Sequence, residues 1–213
     1  MPTLRSIRTL NAIEAGTLSS SGLQSLIAGD ATRGDELSVL FNQYGQVQRI
    51  VCNSSALVVI FGSALATALF ISSSVAMKSL FNSVAGKMAL YNSDTALNAL
   101  AANANAMALA RISSNYSVVS LTENGTTAVT ISALTGVNYI CLGISRNAAT
   151  IRTATLTTLR TGSGIGATAT SLAVSTTTAL DVNVAIPIKG PFTSTLNGTG
   201  TGLQYLGVLR CDI

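Results

Sequence analysis

Histidine, the side chain that most often moves protons near neutral pH, does not occur in this 213-residue chain. A Ser-His-Asp triad, a Cys-His pair and an imidazole general base are therefore all absent. The eight acidic residues are spread along the sequence. A pair of carboxylates for glycoside hydrolysis would have to be assembled by the fold from distant positions. Cys52, Cys141 and Cys211 lie far apart, show no Cys-x-x-Cys spacing and have no histidine to complete a zinc or copper set. They read as buried free thiols made in a reducing cytoplasm, with one intermolecular disulfide left open. The stretch Thr161-Gly162-Ser163-Gly164-Ile165-Gly166-Ala167 has the glycines of a phosphate-binding loop. It lacks both the terminal Lys-Ser/Thr of that motif and the spacing of the dinucleotide fingerprint, and reads as an inter-strand loop. Arg33-Gly34-Asp35 matches an adhesion tripeptide too common to carry function, and reads as a polar helix-start turn. No residue is assigned a catalytic, cofactor-binding or metal-ligating role. The expectation is a non-enzymatic protein without cofactors.

Composition points the same way. Charged residues make up 9% of the chain, against about 25% in ordinary soluble proteins. A free monomer needs charged surface for solubility, so this deficit implies that partners, further copies of the chain or lipid cover much of the surface. The net charge of +4 is not gathered into a basic block interleaved with aromatics, which argues against direct nucleic-acid binding. Met1-Pro2-Thr3-Leu4-Arg5 has no apolar signal-peptide core. Between Arg49 and Lys78 there is no charge, and residues 56–71 read ALVVIFGSALATALFI, which hydropathy alone would flag as a membrane span.

A repeat gives that segment another meaning. Cut into decads from residue 56, the chain places Ala56, Ala66, Ala76, Gly86, Ala96 and Ala106 at the first position. The fifth position holds Ile60, Phe70, Leu80, Leu90, Leu100 and Ala110, and the eighth holds Ser63, Ser73, Ser83, Ser93, Asn103 and Ser113. The apolar stretch is then simply the two most apolar units of a helical array, which argues against a membrane span. At about 100° per residue, ten residues fall some 80° short of three helical turns. A continuous helix would rotate its apolar face by that amount in every unit, unlike a coiled coil with its seven- or eleven-residue period. Serine or asparagine before a short apolar run is an N-cap signal. Residues 53–114 are therefore expected to form short helices broken at Ser/Asn corners, with one long serine-bearing helix as the alternative. No unit can bury its apolar face alone, so stacking must do so.

The runs NSDTALNALAAN at 92–103, SSSVAMKSLFNS at 72–83 and NSSALVVIFGS at 53–63 resemble the Ser-Ser-Thr-Ala-Met-type ten-residue repeats of tailed-bacteriophage virion structural proteins of tail-fibre-like type. The leader GTLSSSGLQSLIAGDATRGDELSVLFNQYGQVQRI at 16–50 is similar to the stretch before such repeats. The resemblance covers about residues 16–114. It implies a virion structural protein, assembled in the host cytoplasm, as a tail fibre, collar or baseplate component. Its implied partners are other copies of itself, as a homotrimer or higher symmetric assembly, and other virion proteins. The alternatives are a capsid decoration or cement protein and a carbohydrate-binding adhesion module taking host surface glycan.

Two further regions complete the reading as an α+β protein. Residues 1–52 are expected to form one or two amphipathic helices, with a cap at Ser19-Ser20-Ser21 and a stop at Gly29-Asp30. Apolar residues at 37, 40, 41, 44, 47 and 50 predict a helix from Asp35 to Ile50 with one buried face. From Asn115 onward Thr, Val, Ile and Ser dominate and glycine turns recur, which predicts an antiparallel β-sandwich of jelly-roll type over 115–213. Its strands are expected at Tyr116–Leu121, Ala128–Ser132, Asn138–Ile144, Thr150–Leu159, Ser171–Val174, Ala179–Ile188 and Gln204–Arg210, with turns at Glu123-Asn124-Gly125 and Asn197-Gly198. Alternation in Val182–Ile188 predicts a strand with one buried face, and Pro187 should lie at a sheet edge or strand end.

Overall fold

The computed structural model describes residues 1–124, 129–131, 138–147, 152–156, 165, 170–174, 184–189, 192–196 and 201–213. The chain divides into two compact units, Met1–Ser114 and Asn115–Ile213. The leader 1–52 and the repeat region 53–114 fall in the same unit.

The repeat region is a succession of short helices, and the long-helix alternative falls away. They are α5 (Ser54–Phe61), α6 (Ala64–Ser72), α7 (Ser74–Phe81), α8 (Val84–Tyr91), α9 (Asp94–Ala102) and α10 (Ala104–Arg111). Each begins at the expected cap. The side chains of Asn53, Ser63, Ser73, Ser83, Ser93 and Asn103 accept a hydrogen bond from the backbone N–H three residues on, at 2.9–3.3 Å. That donor is always the first position of the decad, the Ala/Gly column. The column is small because it is buried, Ala56, Ala66, Ala76 and Ala96 being fully covered. The corner backbone runs from a right-handed C-cap, as at Gly62 and Asn82, to an extended N-cap, as at Ser63 and Ser83. It needs no left-handed residue, which is why the corners are written in Ser and Asn rather than in the glycine stop of most helices.

Restarting the helix at every corner solves the 80° shortfall. The helices bury the same columns of the decad: α5 buries Ala56, Leu57, Ile60 and Phe61, α6 buries Ala66, Thr67, Phe70 and Ile71, and α7 buries Ala76, Met77, Leu80 and Phe81, while in α9 and α10 the last of these, Ala101 and Arg111, is only half-buried. Two adjacent pairs one turn apart form an inward face. The second and sixth columns were not among the three recognised from the sequence, because they mix Leu, Thr, Met and Lys, or Phe, Ile, Tyr, Ala and Arg. The helices then pack on their third neighbours: α6 on α9, α7 on α10 and α5 on α8. Three helices therefore make one turn of a three-walled solenoid, and the chain bends by 111° from α5 to α6.

The leader corrects two expectations. It holds four helices rather than one or two: α1 (Leu4–Glu14), α2 (Ser20–Gly29), α3 (Ala31–Phe41) and α4 (Tyr44–Val51). Ser19 caps α2 and Asp30 ends it, as the sequence suggested, and Asp30 also caps α3, which it did not. The helix expected from Asp35 to Ile50 is broken at Asn42-Gln43, so Tyr44 turns outward and is 68% exposed, while Leu37, Leu40, Phe41, Val47 and Ile50 are buried. These positions continue the decad columns upstream, as 37/47/57, 40/50/60 and 41/51/61. Accordingly α3 packs under α6 and α4 under α7. Phe41 and Phe61 meet Phe70 edge to face, with ring centroids 5.2 and 5.6 Å away.

The second unit contains two four-stranded antiparallel sheets. One has the order β1 (Tyr116–Asn124), β8 (Thr201–Arg210), β3 (Asn138–Asn147), β6 (Ile186–Lys189). The other has the order β2 (Val129–Ile131), β7 (Phe192–Leu196), β4 (Arg152–Leu156), β5 (Thr170–Val174). Strand β7 was not expected, since its Thr-Ser-Thr centre lacks apolar alternation. The turn expected at Glu123-Asn124 is instead the end of β1, and Gly125, Asn197 and Gly198 lie outside the described residues. Of the expected strand Ala179–Ile188, residues 179–183 lie outside the described residues, and the strand begins only at Ile186. The one-faced burial predicted there is overturned, because Ala185, Ile186, Pro187 and Ile188 are all buried. The same two-faced burial holds for 139–145 of β3 and 206–209 of β8. Pro187 does occupy an edge strand, opposite Ile140, where its missing N–H costs no ladder bond on the open side.

Candidate assembly surface

The residues with potential for chemistry are dispersed. Among the described residues no group of three His, Cys, Asp or Glu could hold a metal ion. The glycine stretch 161–167 lies outside the described residues except for Ile165. Arg33-Gly34-Asp35 sits in the first turns of α3, and Arg33 faces Asp30 at 3.7 Å. Cys141 and Cys211 are buried free thiols as expected, but Cys52 is exposed. It occupies the corner column with Gly62, Ser72, Asn82, Asn92 and Ala102, every one of them outward-facing.

Charge is concentrated at the beginning of the helical unit. The Arg5 guanidinium donates to Glu36 Oε2 at 2.9 Å, to Asp30 Oδ2 at 3.3 Å and to Thr32 Oγ1 at 2.6 Å, pinning α1 onto α3. Hydrogen bonding from Arg5 holds the Glu36 carboxyl below its ordinary range. Asp30 is lowered as well, first by the hydrogen bond from Thr32 and then by its cationic neighbours. Arg49 ties α4 back to Glu14 and to Asn11 Oδ1 of α1. A cleft of about 390 Å³ lined by Arg5, Arg8 and Arg33 opens there, but Arg5 and Arg33 already face carboxylates. These cations act as clamps.

Beyond the clamps the corners are held by serine. The Ser73 hydroxyl donates to Phe41 O at 2.6 Å, Ser83 to Val51 O at 2.8 Å and Ser93 to Phe61 O at 3.2 Å. Each acceptor lies 32 residues earlier, at the end of a helix one solenoid turn below. One hydroxyl thus accepts from its own helix and donates to the preceding turn. The function of the serine column is therefore double, and only the first half was legible from capping rules.

The three walls differ in charge. The wall of α3, α6 and α9 carries Arg33, Asp35, Glu36 and Asp94, and that of α4, α7 and α10 carries Arg49, Lys78 and Arg111. On the third wall α2 packs with α5 and α5 with α8. The one charged residue in those helices is Lys87, which is 1% exposed. That wall presents Ser25, Ala28, Ser55, Val58 and Val84, with the two valines 65% and 47% exposed. Close approach within it depends on Gly62, where a Cβ would lie 2.8 Å from Ser20 Cβ.

No protein-family model matches the chain, and a search of the curated proteins finds no match either. No single helix among the described residues is long and apolar enough to cross a membrane. The apolar segment 56–71 is divided between α5 and α6 and buries its largest side chains, Phe61 and Phe70.

Proposed function

We propose that the chain is a non-enzymatic structural protein of a bacteriophage virion, a tail fibre, collar or baseplate component that assembles through its helical unit and presents its β unit. The observation that carries this reading is the wall of α2, α5 and α8, whose one charged residue, Lys87, is buried. A solvated monomer would cover such a wall with Lys and Glu, whereas a subunit buries it. A second copy of a chain with net charge +4 meets no exposed like charge on this wall, unlike on the α4/α7/α10 wall with Arg49, Lys78 and Arg111. The resemblance of 16–114 to virion repeats supplies the particle. The eight described strands in two antiparallel sheets suit a sandwich of jelly-roll type, an architecture common in projecting modules.

Analytical ultracentrifugation of the full chain tests the assembly half of the reading. The wild type is expected to sediment as a closed oligomer, a trimer being the first expectation, and Val58→Glu with Val84→Glu is expected to shift it to monomer. A monomeric wild type at micromolar concentration overturns it. Negative-stain imaging of virions treated with antibody to the chain tests the particle, and unlabelled particles would sink that assignment.

A further inference from the structure

A groove of about 450 Å³ runs between α4 and α7, bounded by Tyr44, Gln48, Val75, Lys78, Ser79 and Asn82. Its volume falls within the range of small-molecule clefts. Ser83, which also lines it, is committed to Val51 O and to the Gly86 N–H, but four other polar side chains are not. Among the described residues, the side chains of Tyr44, Gln48, Lys78 and Asn82 make no hydrogen bond or ion pair within the chain. The Asn82 case is informative because the same corner is occupied by asparagine elsewhere. Asn42 Nδ2 and Asn92 Nδ2 each donate at 2.9 Å to the carbonyl four residues back, closing their own helices. Asn82 leaves that bond unmade and lines the groove instead.

The geometry points to a saccharide site in this groove, with preference for a sugar bearing a carboxylate or phosphate. The amides of Gln48 and Asn82 each present a donor and an acceptor, the combination that vicinal hydroxyls require. Tyr44 supplies an exposed ring on which the C–H face of a pyranose can stack, with a hydroxyl at its edge. Lys78 is the sole charged residue of the lining, and no carboxylate opposes it. An anionic substituent would therefore gain a charge-assisted hydrogen bond there. A peptide strand fits less well, because Val75 alone among these side chains offers an aliphatic contact. This assignment concerns the helical unit and does not depend on the assembly reading.

Cys52 also lines the groove and is the exposed cysteine of the three, so its alkylation reports on occupancy. The experiment is iodoacetamide labelling of the full chain, followed by intact mass, in the presence of glucuronate, N-acetylneuraminate, glucose or N-acetylglucosamine. The expected result is that one of the acidic sugars slows Cys52 labelling several-fold at millimolar concentration. Tyr44→Ala and Asn82→Ala, both at exposed positions, are each expected to weaken that protection about tenfold. Lys78→Gln is expected to remove the preference for the acidic sugars. Unchanged labelling with every sugar overturns the site, as does protection that survives both Tyr44→Ala and Asn82→Ala. Equal protection by glucose and glucuronate overturns the acidic preference.

Discussion

The helices over Leu4–Val51 and those over Ser54–Arg111 belong to one solenoid, yet their corners are held by different chemistry. In the first group, guanidinium side chains reach across to carboxylates: Arg5 to Glu36 and Asp30, Arg49 to Glu14. In the second, the neutral hydroxyls of Ser73, Ser83 and Ser93 each bond both their own helix and the turn below. Charge suits the first turn because the Arg5, Asp30 and Arg49 side chains stay partly exposed there and keep part of their hydration. Hydroxyls suit the inner turns because a buried ion pair must overcome a desolvation cost of several kcal/mol, whereas a serine satisfying two backbone groups carries no charge to desolvate. In the same stretch α5 and α8 expose no charged side chain, Lys87 being 1% exposed. Packing economy and a wall without exposed charge thus go together in this part of the chain.

The largest expected effect lies where the two groups meet. Phe70 is fully buried against Phe41 of the first group and Phe61 of the second. Phe70→Ala is expected to destabilise the helical unit by about 3–5 kcal/mol, the range for deleting a core aromatic. Urea titration of the far-ultraviolet helical signal measures it, and a loss below about 1 kcal/mol would mean that the two groups unfold independently. Next comes the serine stitch. Ser73→Ala removes a cap and strands the buried Phe41 carbonyl, for an expected loss of about 2–3 kcal/mol. Ser93→Ala, whose bond to Phe61 O is longer and less buried, is expected to cost about 1 kcal/mol. Equal losses at the two sites would reduce the serine column to simple capping.

That gradation shows what the sequence could and could not disclose. The cap column was legible because Ser and Asn recur at fixed spacing and capping is local: the acceptor lies three residues from the donor. The link from Ser73 to Phe41 was not, since it joins residues 32 apart and requires knowing that three decads close one turn. The outer limit of the repeat was missed for a related reason. Gln43 stands where a Ser or Asn cap would, and α4 has no side-chain cap bond, so the repeat signature fades although Val47, Ile50 and Val51 keep the buried columns. In the β unit, turns at glycine and asparagine predicted most strands, but burial on both faces of β3, β6 and β8 could not follow from alternation within one segment. The groove beside Tyr44 depends on the break at Asn42-Gln43, which apolar spacing alone bridged over.

Glycine positions sharpen the comparison at smaller amplitude. Alanine normally favours a helix over glycine by about 1 kcal/mol. At Gly86, however, a Cβ would stand 2.9 Å from the Leu80 carbonyl oxygen and 3.2 Å from Leu80 Cα. Backbone must then move, so Gly86→Ala is expected to cost about 1–2 kcal/mol despite the better propensity. At Gly62 the two nearest opposing atoms belong to the Ser20 side chain, and the third is the Val58 carbonyl oxygen at 3.1 Å. Gly62→Ala is expected to lose about 1 kcal/mol, and Ser20→Gly in the same chain should restore most of it. Thermal unfolding of the two single variants and the double variant checks this, and failure of the rescue would show that α2 and α5 do not approach closely at this corner.

The smallest expected effect belongs to the clamps, because surface ion pairs are screened and Arg5 and Asp30 are both substantially exposed. Their value lies in being titratable where the serine stitch is not. Asp30 and Glu36 are held below their ordinary values of about 3.9 and 4.3, so the folded state keeps them ionised where the unfolded chain would protonate. Their contribution is thus present above those ordinary values and is lost as pH falls through the depressed folded ones. Arg5→Gln removes the main cause of the Glu36 shift but leaves the Thr32 bond that chiefly lowers Asp30. The acid-induced loss of helical signal in this variant is therefore expected to be shallower than in the wild type without vanishing. Added salt should weaken the wild type slightly and leave the variant less affected, whereas Ser73→Ala should keep the wild-type salt response. A salt response that disappears in Ser73→Ala would place the electrostatic clamp and the hydroxyl stitch in a single cooperative element.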